Sequence, residues 1–269
     1  MVAATEISPI SEAARLERRR SNQMRLVAVI VHVAAFALWE ILVRVLEVPR
    51  FILPAPSQVL STLGSARYDW IGNSWVTGVE IVGGYLLALV LGVATALLFS
   101  WSRVLLMVLF PLLVTLNMIP KVALGPLVIV WFSYGISTNI LITFSLCYFP
   151  ILLTTVRGLR EVEPDLLDLV KSLRGSRWQM FQYIQLPGAL PYIFSGMKVA
   201  AILAVAGAVV GEFIASDRGL GYLMIQVQAA LDTPAMFMAV TLITLIGIAL
   251  YMAVLLLEYL MVPKDARMS

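Results

Sequence analysis

Apolar stretches of about 20 residues recur five times in this chain, near 26–46, 75–100, 138–156, 189–215 and 236–262. That length matches a bilayer core crossed by a helix rising about 1.5 Å per residue. Backbone N–H and C=O groups in lipid must be satisfied within the chain, so each run is predicted to be a transmembrane helix. Composition agrees, because 61% hydrophobic and 13% charged residues leave too little polar surface to cover a soluble globule of 269 residues. The mean hydropathy is +0.93.

Residues 104–134 are too long for one straight span and too short for two with a loop, and Pro111, Pro120, Gly125 and Pro126 interrupt them. The expectation is a single broken span with a non-helical piece near 117–126, tolerated where protein or a water-filled cavity covers the backbone. Six spans result, an all-α membrane protein. The positive-inside rule orients them. With both termini cytoplasmic, the inner segments hold Arg15, Arg18, Arg19, Arg20, Arg25, Arg103, Arg157, Arg160, Lys171, Arg174, Arg177, Lys264 and Arg267. The outer loops hold Arg50, Arg67 and Arg218. The net charge of +3 thus serves topology, and nucleic acid is not an expected partner. The first apolar run lacks a small-residue cleavage site and is predicted to be retained. The expected organisation is a basic segment over 1–24, a membrane domain over 25–262 with a large inner loop at 158–188, and a tail over 263–269.

Within that loop, 164–187 is the one long charge-rich stretch of the second half. Pro164 suits the first position of a helix. Leu166, Leu169, Val170 and Leu173 follow at i, i+3, i+4 and i+7, giving one apolar face. Gly175 is expected to permit a turn. Ser176 and Gln179 match a capping box opening a second helix, which carries Trp178, Phe181 and Ile184 and is expected to stop at Pro187. Such a hairpin could dock another protein or lie on lipid headgroups.

With these residues the segment resembles the E-A-A, Gly, I-x-L-P loop of permease subunits of ABC importers, most closely the nitrate, sulfonate, taurine and bicarbonate type. Asp168 takes the Glu position, and Ile184, Leu186 and Pro187 then fall in register. Leu169 and Val170 replace the alanine pair, and Arg174 stands at the glycine position with Gly175 one residue later. Supporting stretches are FILPAPSQVL at 51–60, IPKVALGPLVIVWFSYG at 119–135, FPILLTTVRGL at 149–159 and VVGEFIASDRGLGYLM at 209–224.

The resemblance implies a type I ABC importer permease fold in a bacterial cytoplasmic membrane. It implies a loop seated on a cytoplasmic ATPase through Asp165, Asp168, Leu169, Ser172, Leu173, Arg174, Gly175, Ser176, Arg177 and Trp178. ATP and Mg would sit on that partner, since no G-x-x-x-x-G-K-[ST] loop occurs in this sequence. A solute-binding protein would deliver the cargo, and a second permease copy would complete the pathway. The cargo classes implied are nitrate-, sulfonate-, taurine- or bicarbonate-like anions, aromatic acids, and pyrimidine or flavin precursors. No catalytic residue, metal site or cofactor bound by this chain is expected. A gradient-driven carrier using Glu212 and Lys121 is the alternative.

Several intramembrane residues carry expectations of their own. Gly84, Ala88, Gly92 and Ala96, and Gly196, Ala200, Ala204 and Ala208, repeat every fourth residue and are expected to be packing ridges, with pore lining the alternative. Asn117, Met118 and Lys121 border the break and could meet a solute, although Lys121 could equally snorkel or pair with Glu212. Glu212 could be a gate or pathway contact, an ion-pair member or a partner of a helix end. Glu80 is expected at headgroup level, Glu40 and Arg44 as an i, i+4 pair, and Lys198 and Glu258 snorkelling. His32 lacks clustered ligands, and the lone Cys147 excludes a disulfide framework. Pro56 could start a short outer helix through Val59, Leu60 and Leu63, and the 216–235 loop is the other outer contact candidate.

Overall fold

The computed structural model describes residues 9–162 and 164–263, and these are helical without strands. Helices α1 (Pro9–Val45), α2 (Pro56–Ser61) and α3 (Trp70–Trp101) are followed by α4 (Arg103–Asn117), a 3-10 turn (Lys121–Leu124) and α5 (Gly125–Phe132). Next come α6 (Ile136–Arg160), α7 (Pro164–Ser172), α8 (Arg177–Met180), a π turn (Phe181–Gln185), α9 (Leu186–Ala215), α10 (Leu220–Ala229) and α11 (Thr233–Met261). Five helical stretches are long and apolar enough to cross a bilayer: Leu26–Val45, Ala66–Trp101, Ile136–Arg160, Arg177–Ala215 and Thr233–Met261. The 15-residue α4 is apolar but spans only about 22 Å. The predicted break follows it, at the 3-10 turn before α5.

The core is a stack of α3, α6 and α9, with α6 in the middle. Small residues make that closeness possible. The Gly84 to Ala96 ridge of α3 and the Gly196 to Ala208 ridge of α9 are buried throughout. A methyl group added at Gly84 would lie 2.4 Å from Thr143 Cβ and 2.9 Å from the Ile140 carbonyl. One added at Gly196 would lie 2.0 Å from Thr154 Oγ1 and 3.2 Å from Ile151 Cα. Both ridges therefore press on α6, the close-packing role read from their spacing, which replaces a hydrophobic drive that lipid cannot supply between helices. By contrast only 6% of the apolar part of α1 is buried within the chain, so its side chains are left to lipid.

The bundle has two distinct ends. One holds the α7–α8 hairpin, the C-terminal ends of α3 and α6 and the start of α9; Trp101 of α3 meets Phe181 edge to face at 6.1 Å. The other holds α2, α10 and the starts of α3, α6 and α11, with Val59, Tyr68, Trp70, Leu220 and Met238 in a second apolar cluster. Tyr68 Oη donates to Asp232 at 2.5 Å, and Trp70 Nε1 to the Thr62 carbonyl at 2.9 Å. Pro56 does open a short helix, burying Val59 and leaving Leu60 and Leu63 exposed.

Local expectations are partly corrected. Pro187 does not stop a helix: Arg177–Ala215 is continuous, and the wider π turn just before Leu186 puts Pro187 in the first turn of α9, where a missing N–H is harmless. Lys198 and Glu258 do not separately seek the interface but pair at 3.1 Å, tying α9 to α11. The Glu40–Arg44 pair forms at 2.6 Å, and Glu40 also accepts from Ser57 N at 3.0 Å. His32 lies on the exposed face of α1, with Nδ1 2.6 Å from the Ala28 carbonyl. Lys264 and Arg267, used in assigning the C-terminus, lie outside the described residues.

Candidate functional site

The hairpin of α7 and α8 is built by two caps. At the end of α7 the Gly175 N–H donates to the Val170 carbonyl at 2.8 Å and the Leu173 N–H to the Leu169 carbonyl at 3.1 Å. The bond from Gly175, reaching back five residues, requires one left-handed residue, and it is Arg174, at φ 57°. The turn expected of Gly175 thus belongs to its neighbour. Gly175 is needed instead for closeness, because a methyl group there would lie 2.4 Å from Val170 Cγ1. The predicted capping box forms: Ser176 Oγ accepts from Gln179 N at 3.2 Å and Gln179 Oε1 accepts from Ser176 N at 2.7 Å.

The stripe predicted on α7 faces outward. Leu166, Leu169 and Leu173 are exposed, Leu173 at 74%, and Trp178 is 60% exposed although its ring packs on Phe181 at 5.6 Å. Asp165, Asp168, Ser172, Arg174, Ser176 and Arg177 are exposed beside them, with Gly175 half-buried. Asp165 lies in the first turn of α7, where a carboxylate complements the helix dipole. A cavity of about 840 Å³ opens between Trp101, Gly175, Trp178 and Phe181, so the hairpin stands off the bundle rather than packing flat on it.

At the break, Asn117 ends α4, Met118 caps it and is 76% exposed, and Lys121 opens the 3-10 turn. The Lys121 ammonium donates to the Asn117 carbonyl and to Asn117 Oδ1, the latter at 2.8 Å. Lys121 therefore caps α4 with positive charge against its C-terminal carbonyls. It does not pair with Glu212, as had been one expectation. The structure brings Asn117, Met118 and Lys121 together and leaves Glu212 in a different setting.

Glu212 sits at the opposite end of α9 from the hairpin, 1% exposed. Its Oε2 accepts from the Gly221 N–H and from the Tyr222 N–H at 3.3 Å, at the start of α10. Its Oε1 accepts from Thr77 Oγ1 of α3 at 2.5 Å. Of the roles open to it, the geometry is that of a partner to a helix end. Gly219 must be glycine for this, with φ 108° and no room for a methyl group, which would lie 2.4 Å from Glu212 Cδ. Glu80 is not the solvated carboxylate expected of a headgroup-level position. It is fully buried and accepts from Asn139 Nδ2 of α6 at 2.8 Å. Thr77 and Asn139 are not among the residues singled out in the sequence, where the available signal is a polar residue two turns into α3 and another one turn into α6.

Residues 88–264 match the family described as "Binding-protein-dependent transport system inner membrane component". A "Probable ABC transporter permease protein" of Haemophilus influenzae is 36% identical over 81% of this chain and 89% of its own length. The "Formylaminopyrimidine transport permease protein ThiX" of Halalkalibacterium halodurans is 32% identical over 84% of this chain and 90% of its own. Among solved structures, an inward-facing form of the MetNI methionine ABC transporter superposes with a TM-score of 0.57 at 18% identity, covering 71% of this chain and 96% of that one, a likeness of fold.

Proposed function

We propose a mechanism for this chain from the premise that it belongs to the binding-protein-dependent transport inner membrane component family. It is the permease subunit of an ABC importer. The α7–α8 hairpin seats on a cytoplasmic ATPase, which binds the ATP and Mg. The observation carrying this reading is the exposed stripe of Leu166, Leu169, Leu173 and Trp178, held in place by two caps yet covered by nothing among the described residues. Isolated exposed leucines are ordinary, but a preorganised row on a charged hairpin fits helix-in-groove recognition. Because Arg177–Ala215 is continuous, a push on α8 moves α9 as a rod.

Six crossings with both termini on the hairpin side are part of the proposal. Supporting them, α4 starts beside Trp101 at the hairpin end, while after α5 the Gly135 N–H bonds the Ala215 carbonyl at 3.1 Å at the far end. One chain offers one hairpin, so a second copy pairs with it about a two-fold axis to engage two ATPases. A solute-binding protein delivers cargo to the α2 and α10 end. The name of the Halalkalibacterium halodurans relative makes a pyrimidine precursor the first cargo to test. Lys121, with Asn117 and Met118, is proposed to line the pathway, and the ammonium there would favour an anionic solute.

The test is uptake together with co-purification. Leu173→Asp should still insert, but it should release the ATPase or abolish uptake; undiminished uptake with the ATPase retained would refute the docking role. Lys121→Ala should weaken uptake of an anionic cargo, and unchanged kinetics would leave Lys121 as the α4 cap alone.

A further inference from the structure

The carboxyl groups of Glu80 and Glu212 are buried at 0% and 1% exposure on one seam: Thr77, one turn before Glu80 on α3, donates to Glu212, and Asn139, which donates to Glu80, packs against Gly211 beside Glu212. Two ionised carboxylates on such a seam would repel each other away from water, and neither could donate to the other, so one of them must hold a proton. The neighbours indicate which. Glu212 receives three protein donors, from Thr77, Gly221 and Tyr222, the environment of an ionised carboxylate. Glu80 receives one donor, Asn139 Nδ2, and that bond falls on Oε1. Its Oε2 is buried without a hydrogen-bond partner, which leaves that oxygen free to carry the proton.

We propose that Glu80 and Glu212 form a proton-binding site: an acid and a carboxylate sharing one proton, carried on Glu80 Oε2, which closes the junction of α3, α6, α9 and α10. Charges from the packed elements do not replace it. The groups facing the pair are Thr77 from α3, Asn139 from α6 and the two amides of α10, and among the described residues no Lys, Arg or His bonds either carboxyl. A metal cation fits poorly, since Glu212 is already engaged by its donors and the remaining free oxygens, Glu80 Oε2 and Asn139 Oδ1, fall short of six ligands. Removing the proton puts two negative charges in contact away from water, so raising the pH loosens this end of the bundle.

The site is tested without reference to cargo or ATPase, on the full chain in lipid nanodiscs. Infrared spectra of the wild type at neutral pH should contain a protonated-carboxyl C=O band that shifts on deuteration and is lost in Glu80→Gln. Glutamine can donate to Glu212 and accept from Asn139, so Glu80→Gln should melt where the wild type does at neutral pH. It should also lose the wild type's fall in melting temperature at alkaline pH. Glu212→Gln cannot accept from all three donors and should melt lower. Absence of the band from the wild type would overturn the proposal. So would equal destabilisation by the two glutamine variants, or stabilisation by sodium over choline that disappears in Glu80→Gln, which would point to a metal cation.

Discussion

At its N-terminal end α9 grows out of a hairpin whose leucines and tryptophan stand exposed, whereas near its C-terminal end Glu212 has both oxygens engaged and is shut away from solvent. The same rod thus joins a surface that is shaped but uncovered to a junction whose main polar group is satisfied within the chain. Burial without partners is costly for polar groups, while exposure of a few leucines costs little. The far end is accordingly expected to govern whether the bundle holds, and the hairpin whether the bundle is driven.

The most severe way to break that comparison is to separate both ends from their common support. Gly196→Leu forces a side chain into Thr154 and the backbone of α6, so folded protein should not be recovered from membranes by size-exclusion chromatography. Next is Glu212→Ala, which strands two amides and a hydroxyl and should cost about 3 kcal/mol, read as a lower melting temperature in detergent. Leu173→Asp at the other end should leave melting within about 0.5 kcal/mol of wild type while uptake falls at least about tenfold. A matching loss of stability would show that the hairpin belongs to the core after all. The smallest effect is expected from Arg174→Gly, which removes a left-handed penalty of about 1 kcal/mol and should stabilise the turn slightly, visible as slower hydrogen exchange at Gly175.

Sequence pattern reached the hairpin better than the buried junction. Pro164, the Ser176–Gln179 box and the apolar residues at i, i+3, i+4 and i+7 act over a few residues, so their spacing carries their meaning. Both small-residue ridges were legible for the same reason. Glu80 was not, because its partner Asn139 is 59 residues away and depends on how α3 and α6 stack. The left-handed residue was misplaced by one position because glycine is the usual occupant, yet the bond from Gly175 to Val170 fixes the turn at Arg174. Pro187 was misread because a missing N–H stops a helix only where a bond was due, and the π turn moves that demand elsewhere.

The π turn at Phe181–Gln185 carries one residue more than an α-helical turn would. Since consecutive residues of an α-helix are about 100° apart, that single surplus position sets the azimuth at which the hairpin leaves the rod. Deleting one residue there would keep the caps and the leucine row intact but swing them about 100° around the axis, aiming the proposed docking surface at the wrong quarter. The bulge is a phase setting, and correct aim depends on it as much as on the side chains being aimed.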